Sequence, residues 1–80
     1  MTDQDIAAAC HQHGAKRLSD AAYAAMRGDH RALVALGISV TGIGSLHRIT
    51  TVAYSLMDAD EQVMDLAQAS IDLAGLPRHE

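Results

Sequence analysis

The apolar side chains of this chain are small, and that limits the folds open to it. Neither Phe nor Trp occurs, Tyr23 and Tyr54 are the two aromatic residues, and alanine supplies much of the 49% hydrophobic content. An alanine buries little area at ~25 cal/mol per Å2, so a core built this way is thin, although small side chains let helices approach closely. At 80 residues the chain makes one domain, and a domain of this size buries only about 60% of the surface its unfolded form exposes. Cys10 is the single cysteine. A lone thiol suits a reducing compartment or packs as a small apolar group. A chain of this kind gains stability by pairing with a second copy or another partner. The expected architecture is all-α: a single helical domain over residues 1–80, a small bundle of three to four amphipathic helices completed by homodimerisation.

The spacing predicts helices over 3–27, 30–36, 46–57 and 59–74, and no strand. In the first, Thr2 and Asp5 form a T-x-x-D capping box. At 100° per residue, Ile6, Ala7, Ala15, Leu18, Ala21, Ala22, Ala25 and Met26 share an apolar arc opposite Asp5, Gln12, Lys16, Ser19, Asp20 and Arg27. Gly14 weakens this helix by about 1 kcal/mol relative to alanine and marks a bend or a close contact, and Gly28 ends it. The second helix runs from an Asp29 cap to Gly37. Ser45 is the expected cap of the third, whose arc holds Leu46, Ile49, Val52, Ala53, Leu56 and Met57. The fourth opens with the D-x-x-E pattern of Asp58 and Glu61 and stops at Gly75 and Pro77. Its apolar face of Val63, Met64, Leu66, Ala67, Ile71 and Ala74 is expected to pack inward. Nothing in MDAD forbids the last two helices from running as one rod, and PRHE reads as a frayed tail.

The acidic start MTDQD lacks a basic signal-peptide region, and no apolar run approaches the roughly 20 residues that span a bilayer. A soluble, cytoplasmic chain is expected. Charge is uneven. Residues 1–48 carry four acidic residues (Asp3, Asp5, Asp20, Asp29) against five basic ones (Lys16, Arg17, Arg27, Arg31, Arg48), a net of +1. Residues 49–80 carry six (Asp58, Asp60, Glu61, Asp65, Asp72, Glu80) against Arg78, a net of −5. The basic footprint of a nucleic-acid binder is therefore weak and confined to the first half.

Chemistry-bearing residues do not converge in the sequence. Cys10, His11 and His13 are zinc-ligand types, but a tetrahedral site needs four ligands, and on one helix His11 projects about 200° away from His13. The expectation is that Cys10 packs, His11 sits in the core or an interface, and His13 faces solvent. The five histidines are scattered, which does not favour a pH switch. No spacing assembles a nucleophile with its base and orienter, and no glycine-rich phosphate loop follows a strand. The reading is non-enzymatic, with no metal and no cofactor.

Two stretches point to partners. On the last helix Asp58, Glu61, Asp65 and Asp72 fall within about a 60° arc spread over roughly 21 Å. Such a row is often only a solvated face. It also suits docking to a basic protein surface. Residues 36–48, LGISVTGIGSLHR, offer the alternative of a helix-turn-helix, with RALVAL as first helix, Gly37 as turn, Ile38 buried, and Ile43 and Leu46 as anchors. In that register the stretch resembles the LGVS-x-x-TI pattern of small repressors over about twenty residues. The resemblance implies that Ser39, Thr41, Ser45, His47 and Arg48 face phosphates or base edges. Leu33 stands where those proteins favour a small alanine, and Gly42 and Gly44 would weaken a reading helix by about 1 kcal/mol each.

The first expectation is thus a small regulatory or inhibitory protein that acts by protein–protein binding, such as a phage-type anti-defence protein or an anti-activator. A DNA-binding transcriptional regulator is second. A structural or assembly subunit of a larger helical complex is third.

Overall fold

The computed structural model of the chain describes residues 1–40 and 42–74. Thr41, the Gly75–Pro77 stop and the PRHE tail lie outside the described residues. All regular structure among the described residues is helical, in the order α1 (Asp3–His13), α2 (Ala15–Met26), α3 (Arg31–Ala35), α4 (Ile43–Ser55) and α5 (Ala59–Ala74).

The first helix starts as its sequence requires. The Thr2 hydroxyl accepts from the Asp5 N–H at 3.2 Å and the Asp5 carboxylate accepts from the Thr2 N–H at 3.0 Å. Those bonds from Thr2 hold the Asp5 carboxyl below its ordinary value. The expected single helix over 3–27 is instead two, because Gly14 takes φ 96° and ψ 132°. Its N–H closes α1 on the Cys10 carbonyl at 2.8 Å, and its own carbonyl opens α2 by accepting from Leu18 at 3.0 Å. A positive φ is strained for a residue with a Cβ, so glycine permits this corner where other residues would resist it.

α2 is the hub, packing against each of the other four helices. Its Leu18, Ala21, Ala22 and Ala25 are buried with Ile6 and Cys10 of α1, Leu33 of α3, Leu46, Ile49 and Ala53 of α4, and Ile38 and Met57. The alanines bring the backbones of α2 and α4 close, while each buried Leu or Ile contributes about 1.5–3 kcal/mol by leaving water. Ile38, Leu46 and Ile49 occupy the positions their spacing implied. Cys10 packs in the core, and burial pushes its thiol pKa up. His11 is exposed and His13 half-buried, the reverse of the expected placement. The bend at Gly14 stops α1 from sharing the arc of α2.

α4 begins at Ile43, ahead of the expected Ser45. Gly42 is its N-cap without a side-chain bond, so Gly44 and Ser45 lie in the first turn, and Ile43 is exposed rather than an anchor. α4 and α5 are separate helices. Asp58 starts the second by accepting the Glu61 N–H at 2.8 Å.

The largest departure from expectation is the rotation of α5. Val63, Met64, Leu66 and Ile71, the face expected to pack inward, are 69%, 61%, 55% and 68% exposed. Ala67 and Ala74 are exposed as well. Asp65 and Asp72, on the opposite face, are buried together with Ala69. The cause lies on α2. Its apolar side is already covered by α1, α3 and α4, which leaves the strip Lys16, Ser19, Tyr23 and Arg27 to receive α5. That strip is hydroxylic and cationic, so it selects the carboxylates rather than the aliphatic face.

Candidate functional site

Lys16, Ser19, Tyr23 and Arg27 recur at steps of three and four, which places them along one line of α2. Against this line the four expected docking carboxylates separate into different roles. Asp65 Oδ1 accepts the Ser19 hydroxyl at 2.6 Å, and Lys16 Nζ stands 4.0 Å from the same oxygen. Asp72 Oδ1 lies 3.4 Å from Arg27 Nη1, while Asp72 Oδ2 accepts from the Gln68 amide at 3.1 Å. Asp58 caps α5, and Glu61 is half-buried beside it. Asp65 and Asp72 are therefore interior groups with partners inside the chain, and the exposed four-carboxylate row expected from spacing is not on the surface. Taking a carboxylate out of water costs several kcal/mol unless charge and hydrogen bonds compensate it. Lys16 and Ser19 do so for Asp65, and Arg27 and Gln68 for Asp72.

Beside this polar seam lies a cavity of about 190 Å3 lined by Tyr23 of α2, Thr50, Thr51 and Tyr54 of α4, and Asp65 and Leu66 of α5. The Gln62 amide bridges to the Tyr54 carbonyl at 3.1 Å and holds α5 to α4 beside it. The Thr50 and Thr51 hydroxyls both donate to the His47 carbonyl, at 2.8 and 2.9 Å. Burial, and after it the negative charge of Asp65, pushes the Tyr23 phenol above its ordinary value of 10.0. Sequence spacing did not reveal this cavity, because Tyr23 and Tyr54 sit on different helices. The one signal available was the polar line on α2, which carries the aromatic residue Tyr23 between Ser19 and Arg27.

The residues proposed to face DNA are placed less coherently. Ser39 is exposed in the connection before α4, and Ser45, His47 and Arg48 are exposed on α4. Thr41 lies outside the described residues. Arg48, the one cation of the set, is 2.9 Å from Asp3 of α1. The first helix of the supposed motif has five residues, and residues 36–42 separate it from α4. Among the described residues no three His, Cys, Asp or Glu side chains are grouped to hold a metal ion, and no helix is long and apolar enough to cross a membrane.

No known protein family matches the chain, and neither a curated protein nor a solved structure does. What can be stated of its class is that it is a small all-α protein.

Proposed function

We propose that this chain is a non-enzymatic interaction module of the regulatory or inhibitory kind, working as a homodimer that pairs through the outer face of α5. The supporting observation is the exposure of Val63, Met64, Leu66 and Ile71 on a helix whose other face is fixed to α2. Four large aliphatic side chains, each more than half exposed, make a patch on the order of 400 Å2, the size at which such patches mark contact surfaces.

A second copy is the occupant that suits this face. Val63, Ala67, Ser70 and Ala74 follow one another at steps of four, three and four, the seam spacing of paired helices. The small residues of that seam permit close approach, and Leu66, Met64 and Ile71 flank it. An antiparallel pair would set the acidic start of each α5, with Asp58, Asp60 and Glu61, against the far end of the other, where Asp72 is buried and paired with Arg27. It would also oppose the two helix dipoles favourably. Burying eight such side chains in a dimer, at roughly 1–2 kcal/mol for the exposed part of each, is of the size needed to offset an association cost of about 4–15 kcal/mol.

Sedimentation of the wild type and of Leu66→Glu tests this reading. A wild-type dimer at micromolar concentration that becomes a helical monomer on substitution is expected. A wild type that sediments as a monomer at all accessible concentrations would overturn it. DNA binding through α4 is the weaker reading, since Arg48 is already engaged by Asp3. It predicts salt-sensitive retention on duplex DNA that Arg48→Glu abolishes.

A further inference from the structure

The two aromatic residues of the whole chain, 31 positions apart, line the same cavity as a buried carboxylate. Tyrosine faces carry negative electrostatic potential and attract cations placed over the ring. Asp65, 1% exposed, adds a formal charge. Its Oδ1 takes the Ser19 hydroxyl at 2.6 Å and stands 4.0 Å from Lys16 Nζ. No cationic side chain is among the cavity's lining residues. The wall of Thr50 and Thr51 adds small side chains, and Leu66 supplies an apolar edge. At about 190 Å3 the space is smaller than the roughly 300–1,000 Å3 of drug-sized ligand sites. It suits one side chain or a very small molecule. The depression of about 630 Å3 beside Arg27, Gly28, Asp29, His30, Arg31 and Val34 has no comparable character, because it lacks both an aromatic wall and a buried charge.

We infer that the cavity formed by Tyr23, Tyr54, Thr50, Thr51, Asp65 and Leu66 binds a primary alkylammonium group, with the charge between the two tyrosine rings and Asp65 and the alkyl stem along Leu66. The same chemistry is carried by a free small alkylamine and by a lysine side chain of a partner protein. Leu66 also belongs to the exposed face of α5, but Tyr23, Tyr54, Thr50, Thr51 and Asp65 lie in the seam between α2, α4 and α5, so the inference does not rest on the pairing of α5.

Tyrosine fluorescence reads this site without a label, since the chain has no Trp and both emitters line the cavity. The full chain is titrated with n-butylammonium, with N-acetyl-lysine methylamide, and with butyrate and n-pentanol as anionic and neutral controls. A saturable change with the ammonium compounds alone is expected. Tighter binding of the capped lysine than of butylammonium would assign the ligand to a partner's side chain, and the reverse order to a free amine. Asp65→Asn should abolish the response. Tyr54→Leu, which leaves the Asp65–Ser19 pair in place and Tyr23 as reporter, should weaken binding about three- to thirtyfold. Circular dichroism checks that each variant keeps its helices. No saturation up to tens of millimolar, an equal response to butyrate or pentanol, or full retention in a helical Tyr54→Leu variant would each overturn the site. A monomeric chain that still binds ammonium would refute the dimer and leave this site intact.

Discussion

Ser19 on α2 gives its hydroxyl hydrogen to Asp65 on α5 at 2.6 Å, across 46 positions of sequence, and both residues are almost fully buried. This pair and the Arg27–Asp72 pair fix which side of α5 faces the rest of the molecule. The fifth helix is thus joined to an apolar four-helix core by a polar seam.

Breaking the buried pair from either side should be costly. Ser19→Ala is expected to lower stability by about 1–3 kcal/mol, as a buried carboxylate oxygen loses its donor. Asp65→Ala should cost a similar amount. The double variant should cost less than the sum, and a urea-denaturation cycle over the four proteins reads the coupling directly.

The outer face of α5 should respond differently. With the chain dilute enough to be monomeric, Val63→Ser and Ile71→Ser should change stability by no more than about 0.5 kcal/mol, the range for surface substitutions. Were these side chains packed inside the monomer, the loss would be several times larger. Thermal or urea unfolding at low protein concentration decides between the two.

Gly14→Ala places a Cβ at φ 96°, where the nearest atom would be the Arg17 Cβ at 4.0 Å. There is room for the methyl group, so the expected loss of about 1–2 kcal/mol is conformational rather than steric. Gly44→Ala, in the first turn of α4 with open space around its Cβ position, should instead stabilise by up to about 1 kcal/mol.

Asp29 provides a pH-dependent observable. The side-chain bonds from Arg31 lead the causes that lower its carboxyl from 3.8 to about 2. Because the folded value is depressed, the favourable contribution is present above the unfolded value and is lost as pH falls from near 4 toward 2. Carboxyl NMR titration should give a midpoint near the low value, and Arg31→Ala should move it back toward the ordinary one.

The parts of this fold that could be read from sequence are those where one rule acted alone. The Thr2–Asp5 box, the Asp58 start and the inward arcs of α2 and α4 follow from capping geometry and helical period. Where two rules compete, residue type and period alone do not decide. Ser45 is a better cap than Gly42 by residue type, yet α4 starts at Ile43. For α5, hydrophobic burial argued for Val63, Leu66 and Ile71 inside. Periodicity cannot show that α2 had already committed its apolar side and offered Lys16, Ser19 and Arg27 instead. The cavity was out of reach for another reason. Its walls come from three helices, and the distance from Tyr23 to Tyr54 along the chain contains no regular spacing.

The corner at Gly14 has a stereochemical consequence. A continuous helix from Asp3 to Met26 would be a straight rod about 36 Å long, and Ile6 and Cys10 would be carried away from α4. Their place in the core depends on one residue without a Cβ, free to take φ 96° together with ψ 132°. The course of the amino-terminal segment is therefore set by the bare α-carbon at a single position.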